Sequence, residues 1–167
     1  DPGDAVLIPR PSYPLFAHLT RLDAVRAIPY RLDDQNGWSV DLESLEGAIS
    51  DDTRAVLVVS PNNPTGSFIH PHELDAVVEI CRRHALTLIG DEVFADYPLR
   101  PVDAGTPSVL AQDGVLTFGL GGLSKSMGLP GAKLGWMGVT GPNALVDAAL
   151  SRLELICDTY LSVSGPI

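Results

Sequence analysis

Short runs of strand-forming residues alternate along the chain with segments whose apolar residues recur at helical spacing, and this alternation limits the choice of fold most severely. Several runs are apolar at every position, which is typical of strands that other elements cover on both faces. The 14 prolines and 16 glycines concentrate in the connections, where they set turns. The pattern predicts an α/β domain with a mostly parallel sheet flanked by helices. The predicted strands cover residues 5–8, 25–30, 55–60, 86–91, 115–118 and 134–139.

The clearest helix is predicted to begin at Pro71, because Leu74, Val77 and Cys81 then recur at helical spacing. Glu73 in the first turn and two arginines near the end complement the helix dipole. The length of 167 residues suits a single domain. Two further helices are predicted over residues 41–49 and 143–157.

The chain is acidic: 11 Lys and Arg residues stand against 21 Asp and Glu residues, for a formal net charge of −10. Nucleic acids and anionic membrane surfaces attract concentrated positive charge, so neither is an expected partner. No apolar run reaches the roughly 18 residues that a membrane span requires, and no basic leader precedes an apolar stretch. The two cysteines, Cys81 and Cys157, are too few for a disulfide framework and are expected to be buried in helices. We therefore expect a cytoplasmic protein.

Both ends of the chain lie at connections between predicted elements. Residues 1–4 predict a turn that leads directly into a strand, and residues 164–167 follow a long helical stretch. We expect the chain to be a fragment of a larger protein.

Polar side chains follow three of the predicted strands. Asn63 lies in the Pro- and Gly-rich segment after one strand, Asp91 ends the next, and Lys125 lies in the segment after the third. The carboxyl ends of parallel strands meet at one edge of a sheet, where open α/β folds bind ligands. An amide, a carboxylate and an amine are therefore predicted to share one crevice. Each residue alone is common in turns, caps or surfaces, and only their order along the sheet is specific.

Two nucleotide-binding loops are excluded in the glycine-rich segment before Lys125. Ser124 stands where the dinucleotide motif that begins at Gly119 requires its third glycine. Ser124 also stands where a triphosphate-binding loop would place glycine before its lysine.

No metal site is predicted. His70 and His72 lie two positions apart at a helix start, where their side chains do not converge on one ion. Asp33, Asp41 and Asp51 belong to turns and helix caps and follow no calcium-binding pattern.

Four segments match, in order, the recurring segments of a known family: residues 9–14 (PRPSYP), 60–66 (SPNNPTG), 90–94 (GDEVF) and 123–131 (LSKSMGLPG). In these segments the chain resembles the class I and II aminotransferases, which are pyridoxal-phosphate-dependent enzymes of fold type I. The resemblance implies a three-layer sandwich. It also implies that residues 1–167 form the cofactor-binding large domain without its N-terminal segment and without the C-terminal small domain. Members of this family form homodimers with active sites at the interface.

The resemblance implies a role for each matching residue. Lys125 would carry pyridoxal 5'-phosphate as a Schiff base and would move the proton between substrate and cofactor. Asp91 would face the pyridine nitrogen and keep it protonated. Asn63 would donate to the phenolic oxygen, and Tyr13 would stack on the ring.

The chain departs from the family pattern at three of the matching positions. Phe94 stands where the family usually has Tyr and lacks the hydroxyl that would bind the phenolic oxygen. Gly122 replaces a phosphate-binding Ser, and Lys133 replaces an Arg, so the bidentate contact is lost but not the charge. Ser124 is expected to supply a hydroxyl to the phosphate. We interpret the departures as variation within a subgroup that retains the cofactor.

The resemblance implies an aminotransferase that moves an amino group between an amino acid and a 2-oxo acid. Two alternatives remain at this point: a pyridoxal-phosphate-dependent β-eliminating (C–S) lyase that uses the same Lys125, Asp91 and Asn63, and a non-catalytic, aminotransferase-like effector-sensing domain of a transcription regulator. The sequence does not identify the amino acid substrate.

Overall fold

The computed structural model describes residues 1–98 and 108–161. Seven strands form one sheet in the order β3-β2-β1-β4-β5-β6-β7. Neighbours from β2 to β6 pair in parallel, whereas β3 pairs antiparallel with β2 and β7 antiparallel with β6. The predicted mostly parallel sheet is therefore confirmed. The strands are β1 Ala5–Arg10, β2 Arg26–Asp33, β3 Ser39–Val40, β4 Thr53–Val59, β5 Thr87–Asp91, β6 Thr117–Gly122 and β7 Gly135–Thr140.

Five α-helices accompany the sheet: α1 Leu15–Leu22, α2 Leu42–Gly47, α3 Pro71–Arg83, α4 Leu123–Ser126 and α5 Asn143–Tyr160. The apolar pattern predicts α2, α3 and α5 but not α4, because four residues are too few to show a helical period. Three 3₁₀ turns complete the described secondary structure, at Asp34–Asn36, Val109–Ala111 and Pro130–Ala132. Within the two described ranges, no helix has both the length and the apolar character needed to cross a bilayer.

The core lies where α3 packs against the sheet. Leu74, Val77 and Cys81 of α3 are fully buried, so the predicted apolar stripe is confirmed. Burial raises the pKa of the Cys81 thiol to about 12, and this cysteine remains an inert apolar group. The expected burial of Cys157 is wrong, because its helix, α5, contributes no buried residue to the described structure.

Acidic side chains set the starts of two elements, as predicted for caps. The Asp33 carboxylate accepts a hydrogen bond from the Gln35 N–H, and that of Asp41 accepts one from the Ser44 N–H at 2.8 Å. Two neighbours lower the pKa of the Asp41 carboxyl: the hydrogen bond from the Ser44 N–H has the larger effect, and the hydrogen bond from the Arg31 side chain has the smaller one.

The strand predicted over residues 115–118 continues through the glycines that follow it. The prediction of a loop from Gly119 onward is wrong, because β7 returns antiparallel and pairs with β6 as far as Gly122. The ring of Trp136 covers Gly121, its register partner in β6. A glycine-rich sequence is therefore compatible with a strand where a neighbouring side chain fills the space above it.

Three glycines in adjacent strands form a row across the sheet. Gly90 of β5 is the register partner of Gly119 in β6, which in turn is opposite Gly138 in β7. A Cβ atom on Gly119 would lie 2.6 Å from Leu110 Cγ, and one on Gly138 would lie 2.5 Å from Leu110 Cδ1. The row thus lets the Val109–Ala111 turn lie directly on the sheet.

We expect Gly119→Ala to lower the free energy of unfolding by about 1–3 kcal/mol, because the new methyl group overlaps Leu110. Urea unfolding of the protein measures this loss. Gly114→Ala is the control, since a Cβ there meets no atom within 4 Å. In a double-mutant cycle, Leu110→Ala should cost less in the Gly119→Ala background than in the parent. Additive costs would contradict the packing described here.

Candidate active site

The four segments that resemble the family follow four neighbouring strands of the sheet. In the order β1-β4-β5-β6, these strands lead to Tyr13, Asn63, Asp91 and Lys125. All four strands are parallel, so their carboxyl ends lie at the same edge. The topology therefore brings the predicted residues to one edge of the sheet, in the order that the sequence analysis requires.

Main-chain hydrogen bonds hold Asp91 between its neighbours. The Ser60 N–H donates to the Asp91 carbonyl at 3.0 Å, and the Glu92 N–H donates to the Leu120 carbonyl at 3.1 Å. These bonds continue the β4–β5 and β5–β6 ladders to the last residue of β5. The backbone at Asp91 is consequently fixed relative to both flanking loops.

The Asp91 carboxylate is half-buried and accepts one hydrogen bond, from the Val93 N–H at 3.2 Å. Burial raises the pKa of this carboxyl above its ordinary value, and the Val93 N–H opposes the shift only in part. Within the described residues, no cation contributes to its titration. The site therefore holds an anion that a cationic ligand group would stabilise.

A buried amide, Asn62, connects the first two loops. Its Nδ2 atom donates to the Pro11 carbonyl at 3.1 Å and to Thr65 Oγ1 at 2.9 Å. The sequence analysis overlooked Asn62 because the neighbouring Asn63 carries the resemblance. The sequence feature that could have indicated a role for Asn62 is the pair of prolines on either side of the two asparagines. Asn62 Oδ1 and Ser12 Oγ are buried without a hydrogen-bond partner within the described ranges.

Asn63 and Tyr13 are exposed in the loops that follow β4 and β1. The Asn63 side chain is exposed, and Tyr13 is 46% exposed, with its ring edge-on to that of Phe16 at a centroid distance of 6.2 Å. Both side chains are therefore accessible to a ligand at the carboxyl edge of the sheet.

Lys125 lies on α4, the one-turn helix that follows β6 directly. Its side chain is exposed, and Nζ lies 5.3 Å from the centroid of the Phe94 ring, within the range of a cation–π contact. The Tyr97 hydroxyl donates a hydrogen bond to the Lys125 carbonyl. Two aromatic residues of the loop after β5 thus contact Lys125, and the sequence analysis assigned no role to Tyr97.

Glu92, next to Asp91, has a structural role that the sequence analysis did not identify. Its carboxylate accepts hydrogen bonds from Ser108 Oγ and from the Val109 N–H, each at 2.7 Å. These bonds hold the Val109–Ala111 turn at the sheet. In the sequence, a second acidic residue next to Asp91 was the only feature that could have indicated this role.

Backbone atoms of the neighbouring segment lie close to Gly122. A Cβ atom there would lie 3.1 Å from the Leu134 carbonyl oxygen, which also accepts a hydrogen bond from the Leu123 N–H at 3.0 Å. A side chain at this position would press against the Leu134 carbonyl group, which is hydrogen-bonded to Leu123 at the start of α4. Glycine avoids this close contact, whereas a side chain would require the Leu134 carbonyl to shift by a few tenths of an ångström.

Ser124 and Lys133 both lie in the connection between β6 and β7. Ser124 is half-buried beside Lys125, and Lys133 is exposed just before β7, with a left-handed backbone at φ 53°. Because Gly122 pairs with Gly135, both side chains are at the same end of the sheet.

A sequence model of the family described as aminotransferase class I and II matches residues 1–166. The chain belongs to this family. Glutamate-pyruvate aminotransferase AlaA of Escherichia coli (strain K12) is 32% identical to it over 164 residues, which are 98% of this chain and 40% of that protein. Alanine aminotransferase of Mycobacterium tuberculosis (strain ATCC 25618 / H37Rv) is 32% identical over 166 residues, which are 99% of this chain and 38% of that protein.

Similarity of fold accompanies the similarity of sequence. A crystal structure of an aminotransferase from Escherichia coli matches with a TM-score of 0.90 at 31% identity, over 99% of this chain and 41% of that chain. The predicted fold class and the resemblance to class I and II aminotransferases are thus confirmed. The chain spans about two fifths of the length of these relatives. Members of the aminotransferase family use pyridoxal phosphate.

We expect Asp91→Asn to stabilise the cofactor-free protein at pH 7. Folding raises the pKa of this carboxyl, so the folded state binds its proton more tightly and stability is lost as the pH rises through the folded pKa. The amide keeps the Val93 hydrogen bond without the buried charge. The gain should vanish as the pH falls below the ordinary Asp pKa of about 3.9.

Urea unfolding at several pH values measures this effect, with Asp113→Asn at an exposed position as the control for a lost charge. A variant at Asp91 that is less stable than the parent at pH 7 would contradict the expectation.

Proposed function

We propose that the full-length protein is a pyridoxal-phosphate-dependent aminotransferase that moves an amino group between an amino acid and a 2-oxo acid. The observation that carries the proposal is that Asp91 and Lys125 follow each other at the carboxyl ends of the adjacent parallel strands β5 and β6, in a chain of the aminotransferase family. The relatives are named for alanine, glutamate and pyruvate, so these are the first substrates to test.

The residues present fit pyridoxal 5'-phosphate. When bound, the cofactor supplies an aldehyde for covalent attachment and a ring that accepts electrons from a breaking substrate bond. Asp91 offers an uncompensated, half-buried anion for a protonated ring nitrogen. Because the carboxylate and that N–H⁺ would stabilise each other, Asp91 would keep the nitrogen protonated.

Lys125 has two proposed roles. Its Nζ atom, in the neutral form, would bind the aldehyde carbon as a Schiff base and hold the cofactor in place. When it is not attached to the cofactor, the same atom would accept and return the proton of the substrate α-carbon. General acid–base catalysis of this kind contributes about 10²–10⁴-fold.

The remaining residues would bind and orient the cofactor. Asn63, which is exposed in the loop that follows β4, would donate from its amide to the phenolic oxygen. The accessible Tyr13 ring would stack on the cofactor ring. Ser124 and Lys133 would bind the phosphate with a hydroxyl and a positive charge. Phe94 offers no hydroxyl, so the phenolic oxygen would have one donor fewer than the family pattern provides.

We also propose that residues 1–167 are the cofactor-binding part of the large domain, and that the full-length protein is a cytoplasmic homodimer. The share of the relatives' length that the chain covers supports the first statement. Helix α5 supports the second, because Leu145, Leu150 and Leu155 are each at least 48% exposed. Analytical ultracentrifugation of the full-length protein tests its oligomeric state.

Lys125→Ala should abolish covalent attachment of pyridoxal phosphate and lower amino transfer by at least about 10²-fold. The chain has only two lysines, Lys125 and Lys133, so peptide mapping after borohydride reduction is unambiguous within it. Lys133→Arg is the matched control, since it removes the other lysine and keeps the charge. A label on Lys133 would contradict the assignment.

Lys133→Ala should weaken the affinity for pyridoxal phosphate by about tenfold or more, because a hydrogen bond to a charged group contributes roughly 1.5–3 kcal/mol. Lys133→Arg should retain most of the affinity. Equilibrium titration followed by the visible absorption band measures both. Equal affinity of Lys133→Ala and the parent would remove Lys133 from the phosphate site.

The reaction type is tested with the full-length protein, alanine and a 2-oxo acid acceptor. Amino transfer to the acceptor supports the proposal. In a separate assay without an acceptor, release of ammonia, pyruvate and sulfide from cysteine, whose β-carbon carries a leaving group, would indicate a β-eliminating lyase. Cofactor binding without turnover, together with a DNA-binding module in the full reading frame, would indicate an effector sensor.

A further inference from the structure

We propose that Tyr97 is a positioning residue for Lys125: its hydroxyl holds the main chain of the lysine so that Nζ meets the cofactor aldehyde in the reactive geometry. The proposal rests on the proposed function. The observation behind it is that the Tyr97 hydroxyl donates to the Lys125 carbonyl across 28 positions of sequence.

The helix that carries Lys125 is too short to hold itself in place. Helix α4 has four residues, and a single turn gains too few internal hydrogen bonds to offset its own ordering. Its last carbonyls need partners from outside the turn. The Gly128 N–H reaches the Lys125 carbonyl only at 3.4 Å, so the Tyr97 hydroxyl is the stronger donor to this oxygen.

The loop that carries Tyr97 is itself ordered by local hydrogen bonds. The Tyr97 N–H donates to the Phe94 carbonyl at 3.0 Å, and the Ala95 N–H donates to the Glu92 carbonyl at 2.9 Å. The rings of Phe94 and Tyr97 meet edge-on at a centroid distance of 6.3 Å and an interplanar angle of 72°. Glu92 is in turn fixed by its bond to the Leu120 carbonyl of β6. The loop is therefore anchored to the sheet.

One loop thus contacts both ends of the lysine. The Tyr97 hydroxyl binds its carbonyl, and the Phe94 ring lies 5.3 Å from its Nζ atom. The phenol hydroxyl that Phe94 lacks is present three residues later, where it binds the protein main chain. A misplacement of about 1 Å can slow a reaction about 10²-fold, so loss of this tether should slow attachment of the cofactor.

The test measures covalent attachment in the full-length, cofactor-free protein. Lys125 Nζ adds to the aldehyde carbon of pyridoxal phosphate, water leaves, and borohydride then delivers a hydride to the carbon of the C=N bond. Rapid quenching with borohydride at several cofactor concentrations yields an attachment rate constant and a half-saturating concentration. The variant is Tyr97→Phe, which removes only the hydroxyl. Tyr160→Phe, at a position 80% exposed, is the matched control.

For Tyr97→Phe we expect the attachment rate constant to fall about 5- to 10-fold or more, with the half-saturating concentration unchanged. Hydrogen exchange of the cofactor-free protein should show faster exchange at the Met127 and Leu129 amides, which both bond to the Leu123 carbonyl of α4. Tyr160→Phe should behave as the parent in both measurements.

Three outcomes would overturn the proposal. The first is an unchanged attachment rate in Tyr97→Phe. The second is a parallel loss of attachment, affinity and thermal stability, which would show that the hydroxyl serves only the fold. The third is a parent protein that takes no label on Lys125. That result refutes the proposed function itself, and the parent control distinguishes it from the other two.

Discussion

The parallel pairing of β5 with β4 on one side and β6 on the other is the constraint on which the site depends. Adjacent strands in a sheet lie about 4.8 Å apart, so three loops that leave them at the same edge must converge. The ladder extends to Asp91, whose carbonyl accepts from the Ser60 N–H while the next amide bonds to Leu120. The loops that carry Asn63 and Lys125 therefore start from fixed positions on either side of one carboxylate.

The two acidic residues at the end of β5 differ in function because their contacts differ. Asp91 keeps a half-buried carboxylate that accepts one hydrogen bond from the described residues, that of the Val93 N–H, and it is proposed to bind a cationic group. The carboxylate of Glu92 is used within the protein, where it holds Ser108 and Val109. Val109 then packs on Gly90, the residue before Asp91, since a Cβ on Gly90 would lie 2.8 Å from Val109 Cγ1. The residues on either side of Asp91, Gly90 and Glu92, thus contact the Val109–Ala111 turn.

The structure shows the surroundings of each residue that departs from the family pattern. Gly122 lies close to the Leu134 carbonyl, which a Cβ atom would approach to 3.1 Å. Phe94 places an aromatic face near Lys125 Nζ, while Tyr97 places a hydroxyl on the lysine main chain. Lys133 offers its charge from a left-handed turn at the start of β7. Each change is local, and the strand order that arranges the site is retained.

The sequence by itself determined the fold class and the order of the loops, and it predicts Tyr13, Asn63, Asp91 and Lys125 as site residues, because periodicity and strand-end motifs are local properties of the chain. It predicted α3 well but not the extent of β6, since a glycine strand forms only when β7 and the side chains of Leu110 and Trp136 cover it. Only the tertiary structure decided the buried amide of Asn62, the carboxylate of Glu92 and the hydroxyl of Tyr97. These groups act through contacts with Pro11, Val109 and Lys125, and such contacts leave no periodic pattern in the sequence.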